Sequence, residues 1–183
     1  ASVTANPRGP QPDLRSNRFA ALAAGLGYLT DAGHIATPQF GIRQRFIAIV
    51  TDAELRASPL YAVSERERLC EDCAHPCVDR CPTNALSGRR ILLRCEDQVY
   101  RFTPTDGKRC DWAKRYVVAG ESGFKYLGSQ LDVMPGEEVT AESLAEALRQ
   151  HDPIIKYRPV VAEPCVIMCP YASVELKAQS LAI

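Results

Sequence analysis

Eight cysteines fall within 183 residues, and their spacing constrains this chain more than any other feature. Four lie in Cys70-Glu-Asp-Cys73-Ala-His-Pro-Cys77-Val-Asp-Arg-Cys81-Pro82, a C-x2-C-x3-C-x3-C-P run. Two more lie in Cys165-Val-Ile-Met-Cys169-Pro170, the C-x3-C-P ending of the same run. Cys95 and Cys110 stand alone between them. An iron–sulfur cluster needs several thiolates converging on a small volume, and a tight loop of spaced cysteines supplies them. The backbone N–H groups of such a loop can point at the sulfurs and stabilise their negative charge. A proline after the last cysteine fixes the turn out of the loop and removes a competing donor.

Two other uses of cysteine compete with this reading. A chain of this length buries a real core and does not need disulfides to fold. Residues 1–17 are polar and Pro-rich, with no apolar signal region, so a reducing cytoplasm is the expected compartment. The chain starts at Ala1 rather than Met, which suggests processing or a piece of something longer. Structural zinc is usually held by paired C-x2-C knuckles. Only one C-x2-C is present, and both cysteine groups end in Cys-Pro, which favours iron–sulfur. Lys+Arg and Asp+Glu both count 22, so there is no electrostatic case for nucleic acid or an anionic membrane. No apolar run is long enough to span a bilayer.

In two-cluster bacterial ferredoxins the fourth cysteine of each motif ligates the other motif's cluster. Carried onto this chain, that rule assigns Cys70, Cys73, Cys77 and Cys169 to one cluster, and Cys81 and Cys165 to the other. Ala162 stands where a second C-x2-C would begin. Cys110 and Cys95 complete two 4Fe–4S clusters by elimination. If Cys95 is instead a core thiol, the second site has three cysteines, and holds a 3Fe–4S cluster or a non-Cys ligand. The first motif carries one extra residue around His75-Pro76. His75 reads as a loop residue, and His34 and His151 as structural or solvated. Lys108 and Arg109 beside Cys110 either raise a cluster's potential or are solvated charges. Tyr28, Asp31 and Trp112 read as packing or surface residues.

The fold expected is α+β: a ferredoxin-like two-cluster core with a small N-terminal α/β segment and a helical insertion. Residues 1–17 read as an extended arm, 18–62 as the α/β segment, and 63–183 as the two-cluster domain with an insertion at 119–162. Asn17 is placed to cap a helix from Arg18 to about Ala24, ended by Gly25 and Gly27. Ile35-Ala36 reads as a short strand before the turn Thr37–Gly41, and Arg45–Thr51 as a buried strand. Arg90–Cys95 and Gln98–Thr103 form a hairpin around Glu96-Asp97. Asp111–Val118 and Ala141–Gln150 read as helices, the second starting at Thr140 without a full capping box and ended by Pro153. Cys165–Tyr171 is compact and 172–183 is a tail.

The order Ala23-Ala24-Gly25-Leu26-Gly27, Thr37-Pro38-Gln39-Phe40-Gly41, Ile47-Ala48-Ile49-Val50-Thr51-Asp52, just upstream of a ferredoxin motif, resembles the epoxyqueuosine reductases and the corrinoid-dependent reductive dehalogenases. Cys81-Pro82-Thr83-Asn84-Ala85-Leu86 is similar to their C-P-T-G-A-L. Asp106-Gly107-Lys108-Arg109-Cys110-Asp111-Trp112 resembles the segment that brings an isolated cysteine to their second cluster. The resemblance covers about 18–118 and returns at 163–171. It implies two 4Fe–4S clusters feeding electrons to a cobalamin, with Gly25, Gly27, Pro38 and Gly41 bordering the corrinoid. Read from the residues alone, these four are turn formers. The chain departs from the families at Thr30-Asp31-Ala32, where they carry Gly-Lys/Arg-Asn, and in its longer spacer at 119–162. It also lacks the upstream half of their corrinoid and substrate domain. Cobalamin is therefore expected only with a partner or a missing domain. The function implied is an electron-transfer module, a part or subunit of a corrinoid-type reductase with a redox partner protein or catalytic domain elsewhere. A stand-alone ferredoxin-like carrier and a structural metal-binding interaction module are the alternatives.

Overall fold

The computed structural model describes residues 17–62, 70–71, 73–118, 131–151 and 163–170. Their fold is mixed α and β, with two small antiparallel sheets and five helices among the described residues. Residues 1–16 of the expected 1–17 arm, residues 119–130 and 152–162 of the insertion, and the tail at 172–183 lie outside them. Among the described residues no helix is long and apolar enough to cross a membrane.

Helix α1 (Asn17–Ala23) buries Ala21 and Leu22 and stops at Gly25, whose φ of +68° is left-handed. The side-chain Nδ2 of Asn17 donates to the Phe46 carbonyl at 3.0 Å, tying the helix start to the chain that follows the first sheet. Strands β1 (Tyr28–Leu29) and β2 (Ile35–Ala36) pair in antiparallel register, Tyr28 opposite Ala36 and Leu29 opposite Ile35. After a four-residue helix α2 (Pro76–Asp79), the hairpin β3 (Ile91–Cys95) and β4 (Gln98–Phe102) closes around Glu96-Asp97. Glu96 takes a positive φ of 52° there. Leu22, Leu29 and Ile35 pack with Tyr100 and Phe102 of β4, so the N-terminal segment and the hairpin share one core.

Helix α3 (Gly107–Tyr116) begins four residues earlier than the sequence suggests. Asp106 is its N-cap, accepting from the backbone N–H groups of Lys108 and Arg109 at 3.0 Å each. Helix α4 (Ala141–Gln150) falls where expected but does carry a reciprocal capping box. Thr140 Oγ1 accepts from the Ser143 N–H, and Ser143 Oγ accepts from the Thr140 N–H, so serine does the work usually given to Glu or Gln. Trp112, Tyr116, Val139, Leu144 and Ala147 bury the α3–α4 contact, and Trp112 Nε1 donates to the Val133 carbonyl at 2.8 Å. His151 stacks edge-on against Tyr116. The last described helix is α5 (Pro164–Ile167).

One expected element does not form. Arg45–Thr51 was expected as a buried strand, but residues 43–52 have no regular structure. Ile47, Ile49 and Val50 are 82%, 79% and 100% exposed; only Phe46 packs against the first core. Strand propensity expresses itself through cross-strand packing and ladder bonds. Both sheets have two strands only, and residues 43–52 join neither ladder, so the segment gains no cross-strand packing.

Candidate metal centre

The two cysteine motifs share more than their spacing. Pro76-Cys77-Val78-Asp79-Arg80-Cys81-Pro82 and Pro164-Cys165-Val166-Ile167-Met168-Cys169-Pro170 both read Pro-Cys-Val-x2-Cys-Pro. Each forms a single helical turn with proline in its first positions, where a missing N–H costs nothing and the fixed φ suits the helix. Each closes the same way, Arg80 N–H on the Pro76 carbonyl at 3.0 Å and Met168 N–H on the Pro164 carbonyl at 2.9 Å. The two turns, α2 and α5, pack against each other.

Their cysteines sort crosswise. Cys70, Cys73 and Cys77 of the first motif line one small pocket together with Cys169 of the second. Thr30, Ala32, His34 and Ile42 of the N-terminal segment form its other wall, and Cys165 also reaches it. Backbone donors aim at these sulfurs. Asp31 N–H donates to Cys70 Sγ at 3.4 Å and His75 N–H donates to Cys73 Sγ at 3.4 Å. Cys77 accepts from the Val78 N–H. The extra residue of the first motif is absorbed at His75, which takes a left-handed φ of 53° immediately before Pro76. Its imidazole Nε2 lies 2.9 Å from Asp31 Oδ2, which also meets Arg90 Nη2 at 3.0 Å. Asp31 and His75 thus each hold a cysteine through the backbone and each other through the side chain. The sequence reads His75 as a loop residue and Asp31 as a packing or surface residue; no local pattern signals that pair.

The second group is Cys81, Cys110 and Cys165, whose thiols are electrostatic neighbours. Ala85 N–H donates to Cys81 Sγ at 3.1 Å. Two cations stand beside the group. Lys114, one turn along α3 from Cys110, pairs with Glu163 at 2.7 Å (Nζ to Oε1). Burial works to discharge Lys114, but Cys110, Glu163 and Cys165 outweigh it and raise its pKa. Arg18, anchored by Nη1 on the Gly33 carbonyl at 2.7 Å, lies within the fields of Cys110, Glu163 and Cys165. These two cations are not the ones the sequence singled out. Arg109 spends its guanidinium on the Thr83 and Glu137 carbonyls, and Lys108 lines a surface hollow with Glu137 and Glu138. The helical period from Cys110 to Lys114 is the signal that points to the right one.

Cys95 is elsewhere. It ends β3 and packs on the first apolar core beside Tyr100. Gly25 and Gly41 take left-handed φ values of 68° and 56°, and Gly27 lies against the Ala36 carbonyl. Pro38 starts the turn that Thr37 and Gly41 close with mutual backbone hydrogen bonds of 2.9 and 3.0 Å. That turn delivers Ile42 to the cavity wall.

All eight cysteines are free thiols, so no disulfide competes for them. Among the described residues no three His, Cys, Asp or Glu side chains are placed to hold one metal ion. A mononuclear thiolate site needs metal–sulfur distances of about 2.3 Å. The first group instead lines one pocket, and backbone N–H groups donate to the sulfurs of Cys70 and Cys73. Burial pushes Cys70 up to about 12 against the hydrogen bond from the Asp31 backbone, with the Asp31 charge and then the neighbouring thiols adding to it; burial dominates at Cys77 and Cys110, each raised to about 11. Cys165 is raised well above the ordinary value for the same first reason. The metal-free fold therefore keeps protons that its unfolded chain releases near 9. It binds more protons than the unfolded state between those values, so its stability is full below about pH 9 and falls as pH rises through the folded values. Metal binding removes these protons, and the loaded chain is expected to lack that slope. Urea unfolding of both forms at neutral pH and at about pH 10 checks this; equal pH dependence in the two forms would contradict it.

Comparison with family models, with curated proteins and with solved structures gave no match to this chain.

Proposed function

We propose that this chain is an electron-transfer module carrying two iron–sulfur clusters on a ferredoxin-type crossed ligand set, and that it serves as a part or subunit of a corrinoid-type reductase. The observation that carries the reading is the crosswise sorting of the paired Pro-Cys-Val turns, Cys169 with Cys70, Cys73 and Cys77, and Cys165 with Cys81 and Cys110. Cys70, Cys73, Cys77 and Cys169 would hold a 4Fe–4S cluster. Cys81, Cys110 and Cys165 would hold a second, as a three-cysteine site.

A bound cluster supplies one-electron chemistry. The chain's own residues make that chemistry tolerable. The amides of Asp31, His75, Val78 and Ala85 stabilise negative charge on sulfur. Arg18 and Lys114 balance the second group's charge. Ala32 and Ile42 keep water from the first. Because the two turns pack against each other, clusters held on them would be neighbours, as electron transfer between them requires. The exposed Ile47, Ile49 and Val50 favour a component of a larger assembly over a free carrier, because such a segment asks for a covering partner. A partner or further domain is where cobalamin would bind.

The test is iron, acid-labile sulfide, zinc and cobalt per chain after anaerobic purification, with EPR of the reduced sample. Seven to eight irons, roughly, with matching sulfide are expected. Zinc without sulfide would overturn the reading and leave a structural metal protein.

A further inference from the structure

His34, which lines the first pocket, carries a buried ring nitrogen with no hydrogen-bond partner among the described residues. His34 is pinned by its backbone across the β1–β2 turn: its N–H donates to Thr30 Oγ1 at 3.0 Å, and its carbonyl accepts from the Thr30 N–H at 2.8 Å. His34 lines the pocket together with Cys70, Cys73, Cys77 and Cys169. Nε2 is sealed from solvent and has no hydrogen-bond partner among the described residues. Buried ring nitrogens are normally paired, because removing one from water without a partner is costly. A residue wanted only for packing here would be Leu or Phe.

The site's own chemistry supplies what is missing. The sulfurs of an iron–sulfur cluster accept hydrogen bonds, and those bonds help to set its potential. We propose that His34 is a contact residue of the cluster held by Cys70, Cys73, Cys77 and Cys169, its Nε2–H donating a hydrogen bond to a cluster sulfur. The inference rests on the iron–sulfur reading above. Burial lowers the His34 pKa to about 4, with Arg18 and Lys114 acting in the same direction against Glu163. The ring is therefore a neutral donor at physiological pH, with one proton to place. Reduction adds negative charge to the cluster, so a donor aimed at its sulfur favours the reduced form. His34 thereby raises this cluster's potential relative to the same cluster without it.

The experiment is a redox titration, followed by EPR, of the anaerobically purified full chain, its His34→Phe variant and its His34→Gln variant, with iron and sulfide measured first. In His34→Phe one midpoint is expected to fall while the other stays. His34→Gln keeps an N–H donor and is expected to recover most of the fall. Loaded variants with all midpoints unchanged would overturn the proposal and leave the iron–sulfur reading standing. Absence of iron and sulfide from the wild-type chain would sink both. Should the variants fail to load, ¹⁵N-histidine labelling of the loaded His75→Gln chain decides, because His75 is then removed from the signal. Nitrogen coupling to the reduced cluster supports the assignment; its absence overturns it.

Discussion

Cys77→Ser and Cys169→Ser, on different motifs, are expected to empty the same cluster, and Cys81→Ser and Cys165→Ser the other. Each substitution should remove about half of the iron and sulfide. The reason lies in the paired turns. On the proposed ligand sets the first and last cysteines of each Pro-Cys-Val turn would serve different clusters, Cys77 and Cys81 in one turn, Cys165 and Cys169 in the other, although Cys165 also lines the first pocket. Serine is nearly isosteric, so the turns should survive, but its hydroxyl holds its proton far more tightly than a thiol and makes a poor iron ligand at neutral pH. Reduced-state EPR of the four variants distinguishes the outcomes: two spectra are expected, each shared by one residue from each motif. Cys95→Ser, altering a thiol packed on the first core, should retain the full iron content. If Cys77→Ser and Cys81→Ser instead lose the same signal, the ligand sets are not crossed.

What could be read from the sequence followed how local the determinants were. The β3–β4 hairpin and the Ile35-Ala36 strand are set by neighbouring residues, and the structure has both. Helix α4 is local too, and only the capping role of Ser143 escaped, because serine is not the residue that position usually carries. The start of α3 was hidden by Gly107, a poor helix former that Asp106 nevertheless caps. The failures at greater range share one cause. A strand at 45–51 depends on a neighbour to pair with, and the apolar run says nothing about whether one exists. The Asp31–His75 pair joins residues on different motifs, as do Lys114 and Glu163, and no periodicity links them. Cys95 was assigned by counting, whereas its placement on the hairpin follows from the β3–β4 register. Among the glycines, the sequence suggested turns or a corrinoid border; their backbone angles and close approaches account for them as turns and close contacts.

Those close approaches carry the second large effect. Gly25→Ala is expected to destabilise the chain by about 2–6 kcal/mol, the sum of two separate costs. A non-glycine residue held in the left-handed region costs of order 1–3 kcal/mol, and Gly25 sits at φ +68°. A methyl there would also lie 2.0 Å from the Pro59 carbonyl oxygen, a backbone atom that cannot rotate away. Forced overpacking of this kind adds roughly 1–3 kcal/mol. The consequence extends to the metal centre, because the turn at Gly25 sets where β1 and β2 lie, and their flanks place Asp31 and His34 at the first cysteine group. Shifting that segment withdraws the Asp31 amide from Cys70. Gly25→Ala should therefore lower the urea midpoint of the chain and also weaken retention of one cluster under a chelator, the one held by Cys70, Cys73, Cys77 and Cys169. Gly107→Ala is the control: a methyl at Gly107 meets nothing within 4 Å, and helix α3 should gain from it. Equal effects from the two substitutions would show that the Gly25 turn is not what holds the N-terminal wall against the cysteines.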